Sequence, residues 1–392
     1  MYERGVASAA PRVFGARTVA VPVGVQSVAM DAGRYLPFAT RVLRRAGPPV
    51  HLTLYVTGRC NLRCRHCFHH EEVAAGIEGA SLAQYEALAP SCERLGPLAW
   101  VSIGGGEPFL RRDLAQIGAA FAQRGLRHLA IPTNGLLHER YAPFVDELLP
   151  KYPDLHLAVS VSFDGPPAIH DSIRAATGAH EGAKEGVRRL KALQQRHPNL
   201  GVGILVCVTR ENQDTLAAHM EELVEELQPD NVTVNLARGT ALDTSLLTVD
   251  VQRYEEVVAT KQRLVRTKKL PYFDFPLARL AVARDELMYE HVARVARGEH
   301  AQQHLPCTAS SLSCVVMENG DVRACEILPD SIGNLNSTAW DLAALWESAA
   351  AKELRARIKS TRCACTWECA QADNVLFHLP SWPRLAARML RS

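Results

Sequence analysis

Between residues 51 and 236 an apolar, β-favouring run alternates six times with a segment of helical period, and this alternation leaves very few folds open. The runs read HLTLYV (51–56), LAWVSI (98–103), HLAIP (128–132), HLAVSVSF (156–163), VGILVCV (202–208) and NVTVNL (231–236). In one intervening segment Leu216, Met220, Leu223, Val224 and Leu227 fall on a single helix face. A strand that returns through a helix to a further strand makes a right-handed crossover, so such units build a parallel sheet covered by helices. Six units fall short of the eight in a closed barrel. The expected fold is α/β, a partial (β/α)6 barrel over residues 49–240.

Past residue 240 the pattern changes. Residues 241–300 read as a charged helical connection. Residues 301–392 read as a small cysteine-rich α+β module, in which SLSCVVMENGDVRACEI (311–327) gives two short strands joined at Asn319-Gly320. Residues 1–48 read as a partly disordered leader. Arg4, Arg12 and Arg17 precede no uninterrupted apolar stretch, so a secretory signal is not expected. No apolar run is long enough to span a bilayer. Lys plus Arg (44) nearly balances Asp plus Glu (42), which gives no electrostatic case for nucleic acid or an anionic membrane.

The chain has 11 cysteines, and six of them fall in two tight groups, at 60/64/67 and 363/365/369. With no export signal, such clusters indicate metal binding and a cytoplasmic protein rather than disulfides. The first group lies in TGRCNLRCRHCF (57–68), directly after the first strand. Structural zinc takes four ligands, usually as two pairs, and His66, His69 or His70 could supply a fourth. Three thiolates on one loop suit a cube-shaped iron–sulfur cluster better, and they leave one iron open for chemistry.

CNLRCRHC after a first strand resembles the signature of the radical SAM superfamily. The resemblance implies a 4Fe–4S cluster on Cys60, Cys64 and Cys67, with S-adenosylmethionine (SAM) on the fourth iron. A low-potential donor such as flavodoxin or ferredoxin would supply the electron that cleaves SAM to a 5′-deoxyadenosyl radical, which takes a hydrogen from the substrate. Gly105, Gly106 and Glu107 in GGGEPF resemble the family's GGE motif, which binds the methionine amino group; a carboxylate suits an ammonium. PTNG (132–135) is a common family turn and brings Asn134 to the site. Ser160 and Ser162 are candidates for the SAM ribose or carboxylate. Arg174 resembles the arginine that pairs with that carboxylate, and Asn235 and Arg238 would border the adenine. Cys92 and Cys207 fall in helix and strand patterns and read as core.

Cys307, twelve residues, Gly320, four residues and Cys325 resemble the first half of the SPASM and twitch modules, which hold auxiliary iron–sulfur clusters. The cysteines that follow are too few for the two clusters of the full SPASM pattern, so one auxiliary cluster is expected. Its ligands are read as Cys307, Cys325, Cys365 and Cys369. Cys365 and Cys369 are taken because four residues can share a helical face, and Cys363 is the alternate. Cys314 reads as packing. Glu326 is the candidate catalytic base, by resemblance to relatives that carry an aspartate after the corresponding cysteine. The substrate is expected to be a small molecule or a peptide. The competing readings are a non-catalytic iron–sulfur electron carrier and a zinc-binding scaffold, neither of which needs a SAM pocket.

Overall fold

The computed structural model describes residues 32–390 apart from 273, 274, 276 and 303. Residues 1–31 of the expected leader lie outside the described residues. Nine strands form one sheet: β1 (His51–Tyr55), β2 (Trp100–Gly104), β3 (His128–Thr133), β4 (His156–Phe163), β5 (Leu200–Val208), β6 (Asn231–Leu236), β7 (Ser313–Val316), β8 (Asp321–Arg323) and β9 (Ser331–Asn334). Their order is β6-β5-β4-β3-β2-β1-β7-β8-β9, with β1 to β6 parallel throughout. The fold is α/β with a largely parallel sheet, as the alternating pattern implies, and among the described residues β6 and β9 are its edges.

Alternation along each strand separates two environments. Leu52, Leu54, Val101, Ile103, Leu129, Ile131, Leu157, Val159, Val202 and Ile204 are almost wholly buried in the main core, which the flanking helices share. Each such side chain stabilises the fold by roughly 1.5–3 kcal/mol. The intervening residues Thr53, Ser102, Ala130, Ser160, Leu205 and Thr233 are only half-buried and line the concave face. Closed barrels pack that face with bulky branched side chains. Here, Leu205 apart, small ones line a cavity.

The C-terminal region continues this sheet. β7 pairs in parallel with β1, and β8 and β9 follow antiparallel. The β7–β8 turn falls at Asn319-Gly320, with Gly320 at φ 84°, and the Asn319 carboxamide oxygen accepts the Asp321 N–H at 3.0 Å. Without β7, β1 would present an unpaired edge in the middle of the molecule. Side chains sew the two parts together as well. The Leu342 N–H donates to Ser91 Oγ at 2.9 Å, and the Leu236 N–H to Glu368 Oε1 at 2.8 Å. No described helix is long and apolar enough to cross a membrane.

Candidate active site

The cysteine loop leaves the carboxyl end of β1, the end at which parallel barrels place their functional loops. It is strapped to the loop after β2: Gly106 N–H donates to Thr57 O at 2.7 Å and Glu107 N–H to Arg59 O at 2.9 Å. A Cβ on Gly105 would lie 2.3 Å from Thr57 O, and one on Gly106 2.1 Å from Arg59 O. The two glycines are therefore required by the approach of the cysteine loop itself. Spacing alone gave them only a ligand to approach.

Cys60, Cys64 and Cys67 are half-buried on this loop and line the cavity. Burial pushes the Cys60 and Cys67 thiols up to about 11, and neighbouring thiols add to the effect. Cys64 is raised by burial too, against the pull of Arg174. Thiols this reluctant to ionise give up their protons when a metal replaces them. Among the described residues no three His, Cys, Asp or Glu gather around one ion-sized point. Three thiols on one loop are the donor set of a four-iron cube that leaves one iron open.

Glu107 is buried with its carboxylate held on three sides. Oε1 accepts from Phe109 N–H at 3.1 Å and Thr133 Oγ1 at 2.9 Å, and Oε2 accepts from Asn134 N–H at 2.8 Å. Burial raises its pKa, and these bonds work against the rise. Asn134 also donates from Nδ2 to Asn61 Oδ1 at 2.7 Å, which fastens the turn after β3 to the cysteine loop. Much of what Glu107 and Asn134 do is to bind three loops into one cradle. Ser160 and Ser162 on β4 and Asn235 on β6 line the same cavity.

Arg174 reaches in from the helix Pro167–Arg174. Its Nε donates to Asp164 Oδ2 at 2.6 Å, and Nη1 lies 3.9 Å from Cys64 Sγ. Burial alone would raise the Asp164 carboxyl, but the Arg174 guanidinium, with His66 and His170, holds it at about 2. The ion pair fixes the guanidinium beside the cysteine loop. Asp164 was not among the expected site residues; its signal was the acid closing SVSFDG, directly after the β4 serines.

Arg238, expected to border the adenine, belongs to a second buried pair whose partner the sequence reading did not foresee. Arg238 forms an ion pair with Glu368 and lies 3.9 Å over the Trp367 ring. Trp367 meets Phe68 of the cysteine loop edge to face at 4.8 Å. These contacts bring the C-terminal helix Glu368–Leu376 to the barrel mouth, through residues more than a hundred positions apart.

The C-terminal cysteines divide. The Cys307 and Cys363 thiols share a hydrogen bond, which draws Cys363 down. Cys365 lies within electrostatic reach of Cys307, Cys325 and Cys363, and Gln371 Nε2 donates to its sulfur at 3.4 Å. Cys369 is exposed to the cavity, within electrostatic reach of Glu326 and Asp373. The helix begins only at Glu368, so Cys365 precedes it and does not share a helical face with Cys369. Cys314 is buried in the core. Glu326 lines the cavity, and burial raises it to about 7 against the pull of Arg238 and His51.

Comparison with known proteins agrees with this geometry. Residues 54–223 match the family model described as the Radical SAM superfamily. The chain is 28% identical over 228 residues to the Fe-coproporphyrin III synthase of Methanosarcina barkeri, covering 58% of this chain and 54% of that protein. It is 24% identical over 317 residues to the AdoMet-dependent heme synthase of Oleidesulfovibrio alaskensis, covering 76% and 75%. Among solved structures, native anSMEcpe with bound AdoMet and Cp18Cys peptide superposes with a TM-score of 0.56 at 15% identity, covering 88% of this chain and 99% of that one. The chain spans about half the length, or less, of the first curated relatives it matches. The fold and the cysteine loop define an α/β protein with three thiols on one loop at the wall of its cavity. More particularly, the chain carries a radical SAM domain over residues 54–223.

Proposed function

We propose that this chain is a radical SAM enzyme that abstracts hydrogen from a small-molecule or peptide substrate held in the barrel. When bound, a 4Fe–4S cluster on Cys60, Cys64 and Cys67 supplies one-electron cleavage of SAM to a 5′-deoxyadenosyl radical, with flavodoxin or ferredoxin as electron donor. The observation that carries the reading is the three-thiol loop strapped to Gly105–Glu107, with the Asp164-anchored Arg174 beside Cys64. Arg174 would orient the SAM carboxylate with its remaining donors. Glu107 would keep one lone pair for the amino group while bracing the loops, and Ser160, Ser162, Asn134 and Asn235 would complete the pocket. The side chains of the concave face leave room for substrate.

Cys307, Cys325, Cys363 and Cys365 would hold one auxiliary iron–sulfur cluster, and their mutual proximity supports this set over one that includes Cys369. Glu326, at the cavity wall beside this group, would accept the proton released by a substrate oxidised by two electrons. The names of the curated relatives favour a tetrapyrrole-sized molecule, and the peptide in the solved neighbour favours a peptide. The test is anaerobic reconstitution followed by dithionite and SAM. 5′-Deoxyadenosine should form, whereas cluster loading without it would leave an electron carrier. Zinc in place of iron would leave a scaffold.

A further inference from the structure

On the far side of the sheet from the cavity, two buried histidines face each other. His180 sits in the first turn of the helix Ala179–Gln194, which connects β4 to β5, and His219 on the helix Leu216–Leu227, which connects β5 to β6. The two helices pack together, and both side chains are buried between them and their neighbours. The Nε2 atoms lie 2.9 Å apart, with ring centroids separated by 5.1 Å. Neither residue lines the cavity.

The other nitrogen of each ring decides how that contact is read. His180 Nδ1 meets Glu181 Oε1 at 3.2 Å, and His219 Nδ1 meets Glu222 Oε2 at 2.9 Å. An ionised carboxylate only accepts hydrogen bonds, so both Nδ1 atoms must carry a proton. A neutral imidazole has one proton, which leaves both Nε2 atoms as bare lone pairs. Two lone pairs do not attract each other at this distance. Something positive must stand between them, either a proton that makes one ring an imidazolium or a metal ion. Burial works against the imidazolium, lowering the pKa of His180 despite the pull of Glu181. A ring whose far nitrogen donates to a carboxylate is, by contrast, the ordinary arrangement of a metal-bound histidine.

The spacing suits an ion as well. Zinc binds imidazole nitrogen at about 2.0–2.1 Å with tetrahedral angles, which sets two such nitrogens about 3.3 Å apart. The pair would have to open by only about 0.4 Å from its 2.9 Å contact. His170 lies beside His180, with centroids 5.5 Å apart, but does not join. Its Nδ1 accepts from Asp164 N–H at 3.0 Å, so its one proton is on Nε2 and no lone pair is left to give. Two protein ligands leave the remaining positions to water. Water can arrive from the side of Glu181 and Glu222, whose side chains are 65% and 72% exposed.

We infer that His180 and His219 bind one divalent ion of the zinc class, which clips the two crossover helices together on the outer side of the barrel. This site is separate from both cysteine groups, and it stands whether or not the protein cleaves SAM.

The test adds zinc chloride to the full-length, anaerobically reconstituted protein. The wild type should take up about one zinc per chain more than the His180→Gln, His219→Gln protein, with equal iron in both. X-ray absorption at the zinc edge should show two imidazoles on that additional zinc, and saturating zinc should raise the melting temperature of the wild type but not of the variant. Glu181→Ala with Glu222→Ala removes only exposed carboxylates and should fold like the wild type, yet it should bind the zinc about tenfold or more weakly. If the histidine variant does not fold, the carboxylate variant and the wild-type absorption spectrum decide. Equal zinc uptake by the wild type and a folded histidine variant would overturn the inference. So would sulfur in place of imidazole on the added zinc, a wild-type melting temperature that ignores zinc, or an unchanged affinity in the carboxylate variant. Failure of iron to load at the cysteines is a separate matter, that of the radical SAM reading.

Discussion

Cys60, Cys64 and Cys67 come from one loop after one strand, while Cys307, Cys325, Cys363 and Cys365 are collected from the approach to β7, the end of β8 and the loop before the helix Glu368–Leu376. The first group faces the cavity and leaves room for a further ligand. In the second, the Cys307 and Cys363 thiols share a hydrogen bond, with Cys365 within electrostatic reach of both. A contiguous loop carries its geometry in its spacing. A dispersed group acquires geometry only when the fold closes, and here it closes through β7 on β1 and the Glu368 clamp on β6. On the proposed reading, the first group would be an open catalytic site and the second a closed one.

The sharpest break is chemical. Changing Cys60, Cys64 and Cys67 together to Ala should lower 5′-deoxyadenosine formation by about a thousandfold or more, since no other group supplies the reaction. Iron should fall from about eight to about four atoms per chain, the second cluster remaining.

Removing the dispersed group should do the converse. Cys307→Ala with Cys363→Ala should also halve the iron, to about four per chain, but abortive SAM cleavage should persist while substrate turnover fails. Cys369→Ala should leave iron at about eight, which separates the ligand set proposed from the thiol contacts from the one spacing suggests. Iron analysis with a 5′-deoxyadenosine assay reads both.

The support of the dispersed group is the next place to press. Asp285 lies on the helix Ala278–Ala296, which packs against both C-terminal helices, and it binds Arg284, Lys261 and the Tyr272 hydroxyl. Asp285→Asn should cost about 3–5 kcal/mol, the usual effect of breaking a buried ion pair. Burial would raise this carboxyl, but Arg284 and Lys261 hold it below the ordinary carboxylate range. A depressed pKa contributes stability that is complete above the unfolded value, near 3.8, and is lost as pH falls below it. The gap in melting temperature between wild type and Asp285→Asn should therefore be constant from pH 7 to about 5 and narrow below about 4.

A smaller effect belongs to the open site. Arg174→Gln should weaken SAM binding by about tenfold, the worth of one charge-assisted contact, and Asp164→Asn by less, because the guanidinium remains. Anaerobic calorimetry checks both.

Legibility in the sequence follows the same division. All six barrel strands lie within two residues of where periodicity puts them, because each is a long apolar run whose burial is set by its neighbours. The cysteine loop and the GGE turn were legible because both are local. Asp164 was not, since a loop acid takes on meaning only when Arg174, ten residues later, folds back on it. Arg238 was legible as a lining residue, but its pairing with the distant Glu368 left no local signal. The choice of Cys369 over Cys363 assumed a helix through residue 365, but the chain becomes helical only at Glu368, and the intervening loop turns Cys363 towards Cys307.

The most direct measurement of this two-site arrangement is electron paramagnetic resonance of the dithionite-reduced protein with and without SAM. Two cluster signals are expected in the wild type, of which SAM displaces only one. The Cys60→Ala, Cys64→Ala, Cys67→Ala variant should keep one signal that ignores SAM. A SAM-sensitive signal surviving in that variant, or two wild-type signals that both respond to SAM, would contradict the assignment of an open site to the loop and a closed one to the C-terminal cysteines.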